Sequence, residues 1–144
     1  MDSKWIAPYI LRTEYECPHC HRLPFALEEA GKVVYPYTVL FESFARIREA
    51  WGRPLKISSG YRCSIYNRLV GGVDLSVHLF GLALDLDVLS IVEVVELECL
   101  IEEVAPELRR GVYTSKGTFI HVDVGYLIEP QVLSQWHMGA RWEG

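Results

Sequence analysis

Between residues 38 and 51 the apolar side chains Leu40, Phe44, Ile47 and Trp51 recur at spacings of four, three and four. That period predicts an amphipathic helix, stopped by Gly52 and Pro54. Val94, Leu97, Ile101 and Val104 trace a second long helix, opened by the capping-box pair Ser90 and Glu93 and finished before Pro106. Cys99 is assigned to its buried stripe. Elsewhere the period drops to two. Residues 82–88 alternate and are apolar enough for a buried strand, which puts Asp85 and Asp87 on one face; residues 119–124 put His121 and Asp123 on one face in the same way. Residues 55–58 read as a short strand leading into a Ser59-Gly60 turn, and 62–70 as a short helix ended by Gly71-Gly72. Residues 111–113 and 119–124 form a hairpin around Ser115-Lys116-Gly117. The order helix, strand, helix, strand, helix, hairpin predicts an α+β fold, with helices packed on one side of a mainly antiparallel sheet.

The polar residues set into these apolar strands carry the candidate chemistry. Ser76-Val77-His78-Leu79-Phe80-Gly81-Leu82-Ala83-Leu84-Asp85, with His121-Val122-Asp123 further on, supplies two imidazoles and carboxylates in settings that bury and aim them. A histidine in an apolar stretch is more often a satisfied core residue, but here two histidines and an aspartate recur at strand spacing. His78, Asp85 and His121 therefore read as a three-ligand Zn2+ site, and three protein ligands leave the fourth position open, as in a working metal rather than a structural one. Gly81 permits the tight approach that would swing His78 over the polar face of the strand.

The match to a known pattern runs beyond these residues. Ser59-Gly60-Tyr61-Arg62, Asn67, Val70-Gly71-Gly72 and the Ser76-x-His78 block occur in order. The hairpin from Gly111 to Gly125, the Ala140-Arg141-Trp142 tail and the Tyr15-Glu16-Cys17-Pro18-His19-Cys20 opening accompany them. Together these resemble the zinc D-Ala-D-Ala peptidases of the M15 type and their phage endolysin-like members, across nearly the whole chain. The resemblance implies a hedgehog/DD-peptidase-like fold over a single domain, residues 1–144, with the zinc on the sheet face away from the helices. It implies His78, Asp85 and His121 as ligands, Arg62 as the group that holds a substrate carboxylate or carbonyl, and Ser76 as its hydrogen-bonding support. A planar guanidinium with paired donors suits the task given to Arg62 better than lysine does. The implied activity is hydrolysis of a peptide bond in the peptidoglycan stem, as a carboxypeptidase or an endopeptidase. The pattern is broken at one position. Many members carry a glutamate or aspartate three residues before the last histidine ligand, as general base and acid, and Thr118 stands there. Asp123 is the first choice to replace it and Asp87 the second. The competing role for Asp123 is to accept a hydrogen bond from a ligand imidazole and fix its tautomer. A zinc-stabilised module that binds a peptide or protein without cutting it is the alternative function.

Composition narrows the partners. At 144 residues, 50% of them apolar, the chain is long enough for one sizeable core. A net charge of -5, with no basic stripe, argues against nucleic acid. Glu93, Glu96, Glu98, Glu102 and Glu103 read as a solvated helix face. No apolar run is long enough to insert in a membrane, and the start lacks the build of a secretion signal. The expectation is a monomer made in the cytoplasm and freed towards the cell wall by a separate lysis factor. Cys17, Cys20 and Cys63 leave three outcomes open: free buried thiols, a disulfide, or a second, structural metal completed by His21 or His19. Trp136, His137 and Trp142 in the tail are expected to cover a sheet edge rather than line a cleft. Tyr113 and Tyr126 are candidates for stabilising an oxyanion, or plain strand aromatics.

Overall fold

The computed structural model describes residues 4–128 and 136–144. An N-terminal arm holds a small hairpin, β1 (Trp5–Ala7) and β2 (Ile10–Leu11), then the short helices α1 (Arg12–Tyr15) and α2 (Phe25–Ala30). It is followed by α3 (Tyr37–Trp51), β3 (Lys56–Ser59), α4 (Ser64–Leu69), β4 (Ala83–Asp87), α5 (Ile91–Val104), β5 (Arg109–Tyr113), β6 (Phe119–Asp123) and β7 (Arg141–Glu143). The larger sheet has the order β3-β4-β6-β5-β7. Its first four strands are antiparallel, while β7 runs parallel to β5, so the sheet is mixed. The α+β class is as expected; the parallel edge strand is an addition from the tail.

The two long helices form where the apolar period put them. Leu40, Phe44 and Ile47 are buried along α3, which ends as Gly52 takes a left-handed φ of 75°. In α5 the Ser90 hydroxyl accepts from the Glu93 amide while the Glu93 carboxylate accepts from the Leu89 amide, so the first turn is closed from both sides. Val94, Leu97 and Ile101 then face the core. Cys99 does not. It lies two residues from both Leu97 and Ile101, which places it on the opposite side of the helix, and it is exposed. The acidic face is also less solvated than its composition suggests: Glu98 binds Arg110 and Arg141, Glu102 binds Arg110, and Glu93 binds Arg53.

Strand alternation divides the sheet into two chemically different faces. Leu84, Leu86, Ile120 and Val122 are wholly buried and belong to the core shared with α3 and α5. Burial of such side chains is worth roughly 1.5–3 kcal/mol each, enough to fix the register, because a slip of one residue would turn the aspartates inward. Asp85, Asp87, His121 and Asp123 consequently all project to the other face. The arm packs into the core at one end of the sheet: Tyr15 is fully buried, meets Phe41 of α3 edge-on, and its hydroxyl donates to the Gly81 carbonyl at 2.5 Å. Among the described residues no helix is long and apolar enough to cross a membrane.

Candidate metal centre

Register brings the strand residues together. Asp85 on β4 is paired directly with His121 on β6, and Ala83 with Asp123. His78 arrives from a 3-10 turn, Val77–Phe80, whose start is held by the Ser76 hydroxyl accepting from the His78 amide at 3.2 Å. Gly81 ends that turn at φ 71°, and a Cβ there would lie 2.2 Å from the Pro24 ring and 2.5 Å from the Tyr15 hydroxyl. The glycine is therefore required by packing as well as by conformation.

The hydrogen bonds fix how each imidazole presents itself. His78 Nδ1 lies 2.7 Å from the Gly60 carbonyl, which can only accept, so Nδ1 donates and Nε2 is left facing Asp85 Oδ1 at 3.2 Å. His121 Nε2 donates to Asp123 Oδ2 at 2.6 Å, which leaves Nδ1 facing the same Asp85 oxygen at 3.1 Å. One ligand atom from each of His78, Asp85 and His121 lies within 4.8 Å of the others. A tetrahedral zinc with legs of about 2.0–2.1 Å separates its ligand atoms by about 3.3 Å. The N···O distances of 3.1 and 3.2 Å fit that spacing, and so does a donor set of two neutral nitrogens and one carboxylate.

Charge within the cluster follows from burial and pairing. Burial works against the charged form of His121, but the hydrogen bonds and charges of Asp123 and Asp85 outweigh it and raise its pKa to about 9. Burial pushes His78 the other way, below the ordinary histidine value, although Asp85 partly counteracts it. Asp85 is itself buried, which favours its neutral form, yet its contacts with His121 and His78 hold it well below the usual carboxylate range.

Asp123 occupies a different position from the one expected of a base. It is completely buried, and four donors saturate it: Arg109 Nε at 2.8 Å and the Gly125 amide at 2.8 Å on Oδ1, Arg109 Nη2 at 3.2 Å and His121 Nε2 at 2.6 Å on Oδ2. A carboxylate with all its acceptor sites engaged and no exposure has no lone pair to offer a cleft. Of the two roles considered for it, the geometry fits support of the His121 tautomer. Arg109 is a residue that sequence reasoning missed. Its guanidinium lies between the Trp136 and Trp142 rings, 5.4 and 4.9 Å from their centroids.

A cleft of about 380 Å³ opens above His78, Asp85 and His121, lined also by Arg62, Ser76, Tyr113, Trp136 and Trp142. A second cavity of about 520 Å³ continues past Arg62, Asp85 and Phe119 towards Tyr66, Asp87 and Lys116. Arg62 is thus common to both. Its Nε donates to Ser59 Oγ at 3.1 Å, Nη1 to Asn67 Oδ1 at 3.3 Å, and Nη2 to Asp85 Oδ2 at 3.4 Å. Ser76 acts through the turn it caps. The tail aromatics do both things considered for them: Trp142 lies on edge strand β7 and lines the cleft, 5.3 Å from the His121 ring, with its Nε1 donating to the Tyr113 hydroxyl at 2.9 Å. His137 is exposed and outside the lining, and residues 129–135 of the tail lie outside the described residues. Tyr126 is not part of either lining. Thr118 donates its hydroxyl to the Val88 carbonyl at 2.7 Å and holds the hairpin to β4. Cys17, Cys20 and Cys63 converge elsewhere, at the junction of the arm with α4.

Two imidazoles and a carboxylate gathered for a cation, with an arginine in an open groove beside them, give this α+β domain the build of a metallopeptidase. Comparison supplies the family: residues 24–123 match the family model described as Peptidase M15, and the chain belongs to that family of peptidases. No curated protein and no solved structure matches it.

Proposed function

We propose that the protein is a zinc-dependent endopeptidase acting on the stem peptide of peptidoglycan. The observation that carries this reading is the convergence of His78, Asp85 and His121 on the floor of a groove that passes Arg62 on both sides. These three residues would hold the ion. When bound, zinc supplies Lewis acidity to the scissile carbonyl and lowers the pKa of a water towards neutrality.

The remaining tasks belong to the chain. Arg62 anchors a substrate carboxylate or carbonyl through its planar donors. Asp85 and Asp87 are the carboxylates lining the two cavities among the described residues, and Asp85 is committed to the metal. Asp87 projects from the same face of β4, carries a hydrogen bond from Ser58 Oγ at 2.7 Å, and is assigned the proton transfer from water to the leaving amine. Continuation of the groove beyond Asp85 lets a substrate extend in both directions, which supports an internal cut over removal of a terminal residue. The stem peptide as substrate is supported by the resemblance of the Ser59–Arg62, Ser76–Asp85 and Gly111–Gly125 blocks to D-Ala-D-Ala peptidases.

Purified sacculi incubated with the protein, followed by mass spectrometry of the muropeptides, test the reading. Internally cut stem peptides are expected, lost on chelation and restored by zinc. Release of terminal D-Ala alone would make the enzyme a carboxypeptidase, and no product with zinc present would sink the peptidase assignment on this substrate. Thr118 favours a second reading, a binding module that keeps its metal without cutting; retention on sacculi with no product under any metal condition would establish it.

A further inference from the structure

We propose that Cys17, Cys20, Cys63 and His19 hold a second zinc, closed and structural, which fastens the N-terminal arm to the turn that carries Arg62. The sulfurs of Cys17, Cys20 and Cys63 lie within 4.8 Å of one another, although Cys63 comes from a distant part of the chain, and all of them are free thiols. Packing as small hydrophobes does not account for the gathering, because Cys20 and Cys63 are only half-buried, and a thiol makes only a weak hydrogen bond. The fourth donor is beside them: His19 Nδ1 is 3.8 Å from Cys63 Sγ. A tetrahedral site with Zn–S of about 2.3 Å and Zn–N of about 2.0–2.1 Å needs S···N of about 3.6 Å and S···S of about 3.8 Å, so small side-chain rotations close the set. His21, the other imidazole of the motif, is excluded by its backbone. It takes a left-handed φ of 59°, and its ring turns out to Glu16 at 3.0 Å.

The surrounding backbone is arranged for thiolates. The Cys63 amide points at Cys17 Sγ and the Tyr66 amide at Cys63 Sγ, each at 3.4 Å, and the amides of Cys20 and His19 also face the Cys17 sulfur. Main-chain donors aimed at sulfur stabilise the deprotonated form that a metal requires. The loop between the first two cysteines is closed by the His21 amide donating to the Cys17 carbonyl at 2.8 Å and the Cys17 amide donating to the Arg22 carbonyl at 3.1 Å. Three cysteines and one histidine make a closed four-ligand set, the structural kind of zinc site rather than the open kind.

Position gives the site its purpose. Gly60 holds His78 through its carbonyl, Arg62 faces the groove, and Cys63 begins α4. These three lie on one turn, which hydrogen bonds otherwise tie to the arm through the Tyr61 amide and the Tyr15 carbonyl at 2.7 Å. A metal at Cys63 would set the position of Arg62 from the side away from the groove. The inference stands independently of the proposed substrate.

Cobalt reconstitution of the apo-protein under reducing conditions separates the two sites, because the His78–Asp85–His121 set contains no sulfur. A near-ultraviolet thiolate-to-cobalt charge-transfer band, with tetrahedral visible bands, is expected in the wild type and in a His78→Ala/His121→Ala variant. Zinc content should fall from two equivalents to one in that variant, and equally in Cys17→Ser/Cys20→Ser. His19→Ala should keep the thiolate band but weaken zinc binding at this site by at least tenfold. Absence of the thiolate band in reduced wild-type protein would overturn the proposal without recourse to any variant, as would a disulfide found among these cysteines by mass spectrometry of the reduced-purified chain. Unchanged zinc affinity in His19→Ala would overturn the assignment of the fourth ligand.

Discussion

Three aspartates on one sheet face have three different surroundings, and these determine what each can do. Asp85 faces two imidazoles, Asp123 is enclosed by Arg109, Gly125 and His121, and Asp87 stands in the groove with Ser58. Asp123→Asn should thus act on the metal rather than on proton transfer. It turns one of the two acceptor oxygens into an amide donor that must face either His121 or Arg109 and the Gly125 amide, and it leaves Arg109 buried without its counter-charge. Loss of such a supporting carboxylate typically costs 10- to 100-fold in metal affinity, and breaking a buried pair about 3–5 kcal/mol of stability. Competition titration against a chromophoric chelator and thermal unfolding will show both losses; unchanged zinc affinity would count against the supporting role. Asp87→Asn should do the reverse. Metal content and unfolding temperature should hold while kcat falls by about 100-fold or more, the range for losing a general base, and retention of full kcat would remove Asp87 from the mechanism.

At the scale of elements, sequence pattern revealed the two long helices, α4 and strands β3 to β6, but not the small elements of the arm or how the strands pair. Alternation in residues 82–88 and 119–124 was enough to place Asp85 with Asp87 and His121 with Asp123, because a half-buried strand has only two faces. The pairing that brings Asp85 beside His121 depends on β4 and β6 being neighbours, which no local pattern encodes. Arg109 was invisible for the same reason: its partner Asp123 is defined by β5–β6 register, and the adjacent pair Arg109-Arg110 at a strand start reads as surface. Cys99 was misplaced because α5 is apolar on more than one side, with Ile91, Val92 and Val95 exposed, so hydrophobicity alone did not define its stripe. The parallel edge strand β7 was equally hidden. Three residues of a polar tail become a strand there because Trp142 finds a bed at Gly111, where an added Cβ would lie 2.5 Å from the indole. Gly111→Ala should accordingly displace β7 and lift Trp142 from His121. Overpacking of this kind costs typically about 1–3 kcal/mol, readable as a lowered unfolding temperature with a shift in tryptophan emission. An unchanged emission spectrum would mean that β7 does not depend on this contact.

For the molecule as a whole, the metal and the proton compete for one group. In the metal-free protein His121 is raised to about 9 by Asp123 and Asp85, above its ordinary value near 6.5. A raised histidine stabilises the fold fully below the unfolded value and ceases to do so as pH rises through the folded one. This contribution to metal-free stability is therefore present at pH 6 and lost by about pH 10. His78 has the opposite sign, since burial lowers its pKa, so its neutral form predominates in the window from 6.5 to 9 and it exchanges little proton there. Asp85 and Asp123 are held below the carboxylate range and stay ionised. Zinc must then displace one proton from this site, that of His121, and its affinity should rise about tenfold per pH unit from pH 6.5 to 9 before levelling. Chelator competition across that range, performed on the Cys17→Ser/Cys20→Ser variant so that only the histidine site reports, measures the slope directly. A flat profile would show that His121 is neutral before the metal arrives, and that Asp123 orients the ring without charging it.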